Sequence, residues 1–391
     1  MKINSLIKSI IVSGALFGAG FGALAQESSI EIVKQSMKPG AEPPTWVSVS
    51  GFTGETESLL RLDLYVQGFN FTNAENAQYQ IIGSNSGNLQ GRVTDRYNKN
   101  TLLSKAYSGA SLLQQTHAFV DEFVRAIGRQ GIAQTKIAFK HDTGANSEIH
   151  VADFDGFDGQ AVTADNTIVA APAWVPHKLA LYYTSYKLGN PDIFYHDLST
   201  GQRRVFSRYS GLNTAASVSG SGRVTMILSK GGSPDVYDCN ADGSGLLRLT
   251  ATRADESSPC WSPDGEWICY ATKVNGRRIL EKIRATGGTP ERVSTSGVLS
   301  PSEPDWSPDG KWIAFTSQMG NFEICVVPAN GGPVTELVSG EDPSWAPNSR
   351  TLVFTRREGN RRVLSLLDVP TKQYKDISRI TGSNSQPSWA K

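Results

Sequence analysis

The pentapeptide Trp-Ser-Pro-Asp-Gly stands at residues 261–265 and again at 306–310, and a worn copy reads Trp345-Ala346-Pro347-Asn348-Ser349. Trp174, Val218 and Trp389 keep the same phase, and the six positions are 44, 43, 45, 39 and 44 residues apart. A repeat of about 40–45 residues with a strand–turn–strand signature is the pattern of a β-propeller, in which four-stranded sheets stand radially around a channel. One blade cannot bury its own faces. The chain therefore has a stable fold only as a ring.

Five of the phase positions are written Pro-x-Trp: Pro172-Ala173-Trp174, Pro259-Cys260-Trp261, Pro304-Asp305-Trp306, Pro343-Ser344-Trp345 and Pro387-Ser388-Trp389. The unit at Val218 has lost both the proline and the tryptophan. A tryptophan at a fixed place in every blade is expected to pack between neighbouring blades. Strand one ends at this position, and an Asp-Gly turn or its substitute leads into strand two, as in Trp267-Ile268-Cys269-Tyr270. Strand three, a second Gly turn and strand four complete each unit. The turn glycines serve backbone conformation and are not phosphate loops.

Residues 135–165 hold strands two to four of a blade without a strand one, while Ser385 to Lys391 is a strand one without a blade. Joined, they give a sixth blade and a ring with no free sheet edge. The expected blades are 135–165 with 385–391, 170–207, 214–250, 257–294, 302–338 and 341–378. The fold class is thus two domains: a small N-terminal α/β domain, then an all-β six-bladed propeller over 131–391 closed by the C-terminal strand.

The α/β domain is expected over 45–130. Trp46 to Val49 alternates like a strand, Glu57 to Tyr65 can be a helix, and Gln78 to Ile82 and Gly91 to Tyr97 are β-like. Leu112, Leu113, Phe119, Val120, Phe123, Val124 and Ile127 share one face at helical spacing, with Ser111 as N-cap. His117 on that helix is read as a surface or packing residue.

Residues 1–25 have the form of a cleavable secretory leader: Lys2 and Lys8, an apolar run from Ile10 to Ala23, and the small-x-small site Ala23-Leu24-Ala25. Cleavage after Ala25 leaves Gln26, and no cysteine follows it to carry a lipid. Residues 26–44 are expected as a flexible tail, with Ile30, Glu31, Ile32 and Val33 as one extended segment. Export with this fold points to a bacterial periplasm.

The mature chain is nearly neutral, since 38 basic residues face 37 acidic ones and two of the lysines lie in the leader. That balance gives no reason to expect nucleic acid. No GxSxG, HExxH or P-loop is present, and the five histidines are scattered, so no catalytic residue, metal ligand or cofactor is assigned. The Asp-rich stretch Asp153 to Asp158 falls where each blade has its strand three–four turn, and is read as a turn. Cys260 and Cys269 flank the turn at 264–265 symmetrically and should face each other. A disulfide there is open to them, but strain across adjacent strands favours buried thiols.

Strand one lines the channel of a propeller, so the two residues before each Pro of Pro-x-Trp should ring one mouth. They are Ala170 and Ala171, Thr214 and Ala215, Ser257 and Ser258, Ser302 and Glu303, Glu341 and Asp342, and Ser385 and Gln386. The ring is small and polar. Its carboxylates, on two blades, could accept N–H groups or basic side chains of an inserted partner.

The order of these parts resembles the TolB family, the periplasmic propeller components of the Tol–Pal system. The stretch from Lys136-Ile137-Ala138-Phe139 to Asp153-Phe154-Asp155-Gly156-Phe157 is similar to the first blade of that family. The resemblance implies a non-enzymatic, monomeric adaptor, only peripherally associated with the envelope. Its partners would be a Pal-like peptidoglycan-associated lipoprotein at the mouth, near Ala215 and Ser257, and a TolA-like inner-membrane protein reached through Ile30 to Val33. The implied roles are outer-membrane integrity and cell division. The segment between Phe52 and Phe71 is compressed relative to the family, and the blade at Val218 departs from its pattern. A secreted propeller enzyme acting on a glycan or peptide, and a binding module for another envelope ligand, are the competing readings.

Overall fold

The computed structural model describes residues 37–391. The leader and the segment Ile30 to Val33 lie outside the described residues.

The N-terminal region is a five-stranded sheet with two helices. Its elements are β1 (Thr45–Ser50), α1 (Gly54–Tyr65), β2 (Phe69–Phe71), β3 (Tyr79–Ser84), β4 (Gln90–Asp95), β5 (Thr101–Ala106) and α2 (Leu112–Ala126). The strand order is β2-β1-β3-β4-β5, with β1 parallel to both neighbours. The Ser111 hydroxyl accepts the N–H of Gln114, whose side chain accepts the Ser111 N–H, so a capping box fixes the start of α2. Phe119, Val120, Phe123 and Val124 fill the core between α2 and the sheet. β2 and β5 were not legible in the sequence. One is three residues long, and the other is a largely exposed edge without alternation.

His117 is a packing residue of a particular kind. It is buried against α1, with its Nδ1 2.7 Å from Oδ2 of Asp63 and its ring edge-on to Phe154 at 5.6 Å. Burial pushes the Asp63 carboxyl up to about 6, opposed by the attraction of His117.

The sheet-and-helix region and the propeller share one core. Leu62 and Tyr65 of α1 and Val66, which caps its end, pack with Ile132, Phe154 and Trp389. Thr351 Oγ1 donates to the Val66 carbonyl at 3.1 Å, and Gln373 Nε2 to that of Phe69 at 3.2 Å. Gly68 sits between them at φ +84, where a side chain would be strained and its Cβ, 2.1 Å from Nη2 of Arg350, would displace that guanidinium from Asp368. Residues 37–44, expected within a flexible tail, are held on the last blade. The N–H of Gly40 donates to Val369 O and that of Glu42 to Pro370 O, and Met37 packs on the same blade.

Six four-stranded antiparallel sheets form the propeller. Blade one joins Lys136–Asp142, Ser147–Asp153 and Gln160–Ala161 to the closing strand Ser383–Trp389, with Trp389 opposite Ile137 and Ser385 opposite Lys140. Blades two to six begin at Val169, Asn213, Ser257, Ser302 and Glu341. Their first strands adjoin one another around the axis.

All five tryptophans of the repeat are buried between blades. The indole N–H of Trp174 donates to Ser388 O, that of Trp261 to Ser217 O and that of Trp345 to Asp305 O. In each case the acceptor is the residue before the phase position of the preceding blade. Opposite these tryptophans, strand two of the preceding blade carries a smaller residue: Ala138, Thr225, Cys269, Ala314 and Val353. The junction between blades two and three inverts the arrangement. The equivalent of those small residues is Tyr182, paired with Ala173, and it faces Val218. Tyr182 is buried and packs edge-on to Tyr195 at 5.2 Å and to Phe206 at 4.8 Å. The degenerate blade is thus filled by aromatic bulk from the other side of the junction.

Deleting residues 383–391 exposes the inner edge of blade one and removes Trp389, and should abolish cooperative thermal unfolding seen by calorimetry. Tyr182→Ala should cost about 3–5 kcal/mol and Val218→Trp alone about 1–3 kcal/mol, while the double variant recovers at least about 1 kcal/mol over their sum in urea denaturation. Strict additivity would count against the size exchange.

Candidate functional site

The mouth of the channel is built from one backbone irregularity repeated six times. In every first strand the residue before the Pro position adopts a left-handed conformation: Ala171, Ala215, Ser258, Glu303, Asp342 and Gln386, with φ between 50 and 56. None is glycine. Each ladder shifts register there, so that two residues of strand one oppose one of strand two. Such a residue costs about 1–2 kcal/mol relative to ordinary backbone. Six in one ring concentrate strain at one place, and strain of this kind gathers at working sites.

The six left-handed residues and the residues that follow them line a cavity of about 250 Å³. Of the sequence-predicted ring, Ala171, Ala215, Ser258, Glu303, Asp342 and Gln386 meet in this cavity. Ala170, Thr214, Ser257, Ser302, Glu341 and Ser385 do not line it. They sit one residue back, paired in the ladders. Glu341 in particular faces Arg362 and Arg357 at 3.0 and 3.3 Å. Sequence reasoning stopped at the proline and so missed Asp305, Cys260, Ser217, Ser344 and Ser388, which also line the cavity. The bulge that turns them inward leaves no composition signal beyond the proline. Asp305 is held by Lys391 Nζ at 2.7 Å and accepts the Trp345 N–H at 2.7 Å.

Half of the ring is stitched from blade to blade. Glu303 Oε2 accepts the N–H of Asp342 at 3.2 Å, Asp342 Oδ2 accepts that of Gln386 at 3.1 Å, and Gln386 Oε1 accepts that of Ala171 at 2.9 Å. Thr316 and Thr355 hydroxyls buttress Glu303 and Asp342 at 2.6 and 3.2 Å. The other half cannot repeat this. Ala171 and Ala215 have no acceptor atom on the side chain, and Ser258 makes no hydrogen bond across its junction among the described residues. The N–H groups of Ala215, Ser258 and Glu303 share the left-handed backbone of the stitched positions but have no side-chain acceptor opposite among the described residues.

Burial, then the neighbouring Glu303 and Glu341 carboxylates, push the Asp342 carboxyl up to about 8. Such a group binds its proton far more tightly in the folded state. Its contribution to stability is complete below about 4 and is lost as the pH rises through about 8. Asp342→Asn keeps an acceptor oxygen without the charge. The drop in melting temperature between about pH 5 and 8.5 should be smaller in this variant than in the native chain by about 2–4 °C. Equal drops would assign the pH dependence elsewhere.

Cys260 and Cys269 lie directly opposite each other, as expected from the turn, and both are free thiols buried in the blade. The Asp153–Asp158 stretch is a turn: Lys136 Nζ binds Asp153 at 2.6 Å, and Arg379 bridges Asp155 and Glu55 at 2.9 and 2.8 Å. His141 and His150 lie on blade one with their rings tilted at 4.6 Å, and His141 is bound to Asn384; neither lines the mouth cavity.

Fold and site together define a six-bladed propeller whose strained, asymmetric mouth presents backbone amides and carboxylates to whatever enters it. The family model of the TolB beta propeller domain matches residues 123–391, and the chain belongs to that family. A Tol-Pal system protein TolB of Desulfosudis oleivorans is 32% identical over 163 residues. That match spans 41% of this chain and only 37% of the relative. TolB from Acinetobacter baumannii superposes over 91% of this chain and 98% of its own with a TM-score of 0.79 at 22% identity. A chain of the nidogen/laminin complex also matches over 66% of this chain and 98% of its own, with a TM-score of 0.54 at 11% identity, so the propeller by itself does not determine function.

Proposed function

We propose that the chain is a non-enzymatic scaffold of a Tol–Pal type envelope system, exported by a cleavable leader to the periplasm. It holds a Pal-like peptidoglycan-associated lipoprotein at the propeller mouth. Through the segment Ile30 to Val33 it engages a TolA-like inner-membrane protein, so that outer-membrane integrity is coupled to division. The observation that carries this reading is the half-stitched ring in a chain of the TolB propeller family. Small residues on blades two to four leave room for an inserted segment. The amides of Ala215, Ser258 and Glu303 can donate to a carbonyl or carboxylate of that segment, while Glu303 and Asp342 can accept its donors. Among the described residues the cavity lining contains serines but no histidine, and the neighbouring Lys391 is engaged by Asp305, which favours binding over hydrolysis.

The test is calorimetric titration with a purified OmpA-like lipoprotein domain. Glu303→Arg and Asp342→Arg should each weaken binding by at least about tenfold, or about 1.4 kcal/mol. Ala215→Glu should weaken it similarly, because a glutamate there can stitch the open junction as Glu303 does on the acidic side. Native affinity in all three variants would remove the mouth as the docking site. If the native chain fails to bind that domain but retains another envelope protein through the same residues, the propeller binder stands and the Tol–Pal assignment falls.

A further inference from the structure

The facing pair Cys260 and Cys269 stands at the most weakly tied junction of the ring. Each of the other five junctions has at least one hydrogen bond from an inner strand to the next blade. Between the inner strands of blades four and five there is none among the described residues. The acceptor used elsewhere, the carbonyl before the phase position of the preceding blade, would here belong to Cys260. The Trp306 indole turns away from it and donates to Gly310 O of its own blade at 3.1 Å. Blades four and five are linked at the rim, where Thr295–Ser296 pairs with Gly332–Pro333. At its inner end the junction is held by the packing of Trp306 on the two cysteines and their apolar neighbours.

We propose that Cys260 and Cys269 are an oxidant-sensitive dithiol, closed to a disulfide by a small hydroperoxide that enters through the mouth. The proposal is independent of the Tol–Pal reading. The two residues are directly opposite on adjacent antiparallel strands. That pairing puts their Cα atoms about 4.5–5.5 Å apart, within the span of about 4.4–6.8 Å that a disulfide bridges. Cys260 lines the mouth cavity and is 6% exposed, while Cys269 is wholly buried behind it. An oxidant therefore meets Cys260 first, and it has to be small enough to enter a cavity of about 250 Å³. A disulfide carried by another folded protein is too large. The other two cysteines have no such partner: Cys239 is paired with Val224, and Cys325 with Phe315 and Glu336.

The Cys260 sulfur, as thiolate, attacks one oxygen of hydrogen peroxide. The O–O bond breaks, the other oxygen leaves as water, and Cys260 becomes a sulfenic acid. The Cys269 sulfur then attacks that of Cys260, the S–O bond breaks, and the second oxygen leaves as water. Two thiols lose two electrons and two protons, and one peroxide becomes two waters. Burial, then the neighbouring Cys269 thiol, push the Cys260 thiol up. Asp305 acts in the same direction, and Lys391, which binds Asp305 at 2.7 Å, acts against it. The thiolate is scarce at neutral pH, so the pair rests as thiols and oxidation quickens as the pH rises. A bridge between adjacent strands is strained, and strained disulfides are the ones that reducing thiols reopen. Closing it draws both sulfurs away from Trp306, at the one junction whose inner strands have no hydrogen bond to compensate.

Graded hydrogen peroxide on the mature chain, followed by alkylation in denaturant and peptide mass mapping, tests the pair. The expected product is one Cys260–Cys269 disulfide, with Cys239 and Cys325 still alkylated as thiols. Its rate should rise at least about tenfold between about pH 7 and 9. Cys269→Ser should form no disulfide and should leave at Cys260 a sulfenic acid that dimedone traps. Excess reduced glutathione should return all four cysteines to thiols. Oxidation of Cys239 or Cys325 as fast as the pair would overturn the proposal. So would a disulfide that forms only after unfolding, a sulfenic acid trapped at Cys269 in Cys260→Ser as readily as at Cys260 in the converse variant, or a bridge that glutathione does not reopen.

Discussion

The pairing of Ser383–Trp389 with Lys136–Asp142 is the contact on which the rest of the molecule depends. A row of radial sheets has two exposed edges until its ends meet, and closure converts both into one buried ladder. The closing strand does more than complete a sheet. Gln386 at its bulge takes the N–H of Ala171 on one side and gives its own to Asp342 on the other, so one residue joins blades six, one and two at the mouth. Three residues on, Trp389 packs with Phe154 and Val66, and its indole donates to Thr135 Oγ1 at 2.8 Å. The same short segment therefore fixes the mouth, the seam and the joint to the N-terminal region.

The repeated phrase has two physical duties at its two ends. Its tryptophan closes the blade junction, where a large flat side chain excludes water and donates one hydrogen bond to the neighbour. Its proline follows a residue in the left-handed region, and restricts the backbone just where the ladder skips a position. The unit at Val218 separates these duties. With neither proline nor tryptophan, Ala215 still has φ 52 and the register still shifts. The bulge is imposed by the ring, since the six inner strands converge on the axis and their edges must bend away from it. The tryptophan is a packing solution, which Tyr182 replaces from the opposite wall.

Periodicity carried most of the architecture. Blade number, closure from both ends, the capped helix α2 and the facing pair Cys260 and Cys269 all follow from spacings along the chain. The lining of the mouth cavity was legible to one residue. Counting back from the phase positions reached Ala171, Ala215, Ser258, Glu303, Asp342 and Gln386. It included their predecessors as equals, because alternation along a strand does not reveal a bulge. The stitching of half the ring depends on which side chains reach across a junction, and distances of that kind have no sequence signature. Tyr182 was invisible for a related reason. It lies 36 residues before Val218 in a different blade, and only the strand register aligns it with Ala138, Thr225, Cys269, Ala314 and Val353.

On the proposed reading, the asymmetry of the mouth would set how it recognises a partner. A fully stitched ring would satisfy its own amides and present a smooth, charged rim. A ring of alanines would leave six donors for water to solvate and no acceptor. Here the carboxyl groups of Glu303 and Asp342 spend part of their hydrogen-bonding capacity on the neighbouring blade, and this holds that half of the ring in place. The open half keeps its donors on a backbone that is already strained and already ordered. An entering segment would then meet donors and acceptors at fixed positions on opposite sides of one cavity. The ordering cost that usually accompanies loop recognition has been met in folding, through ring closure. On the proposed reading, specificity would come from the direction in which the segment's own carbonyls and N–H groups run across the mouth. It does not require a deep pocket, and the cavity is a shallow one of about 250 Å³.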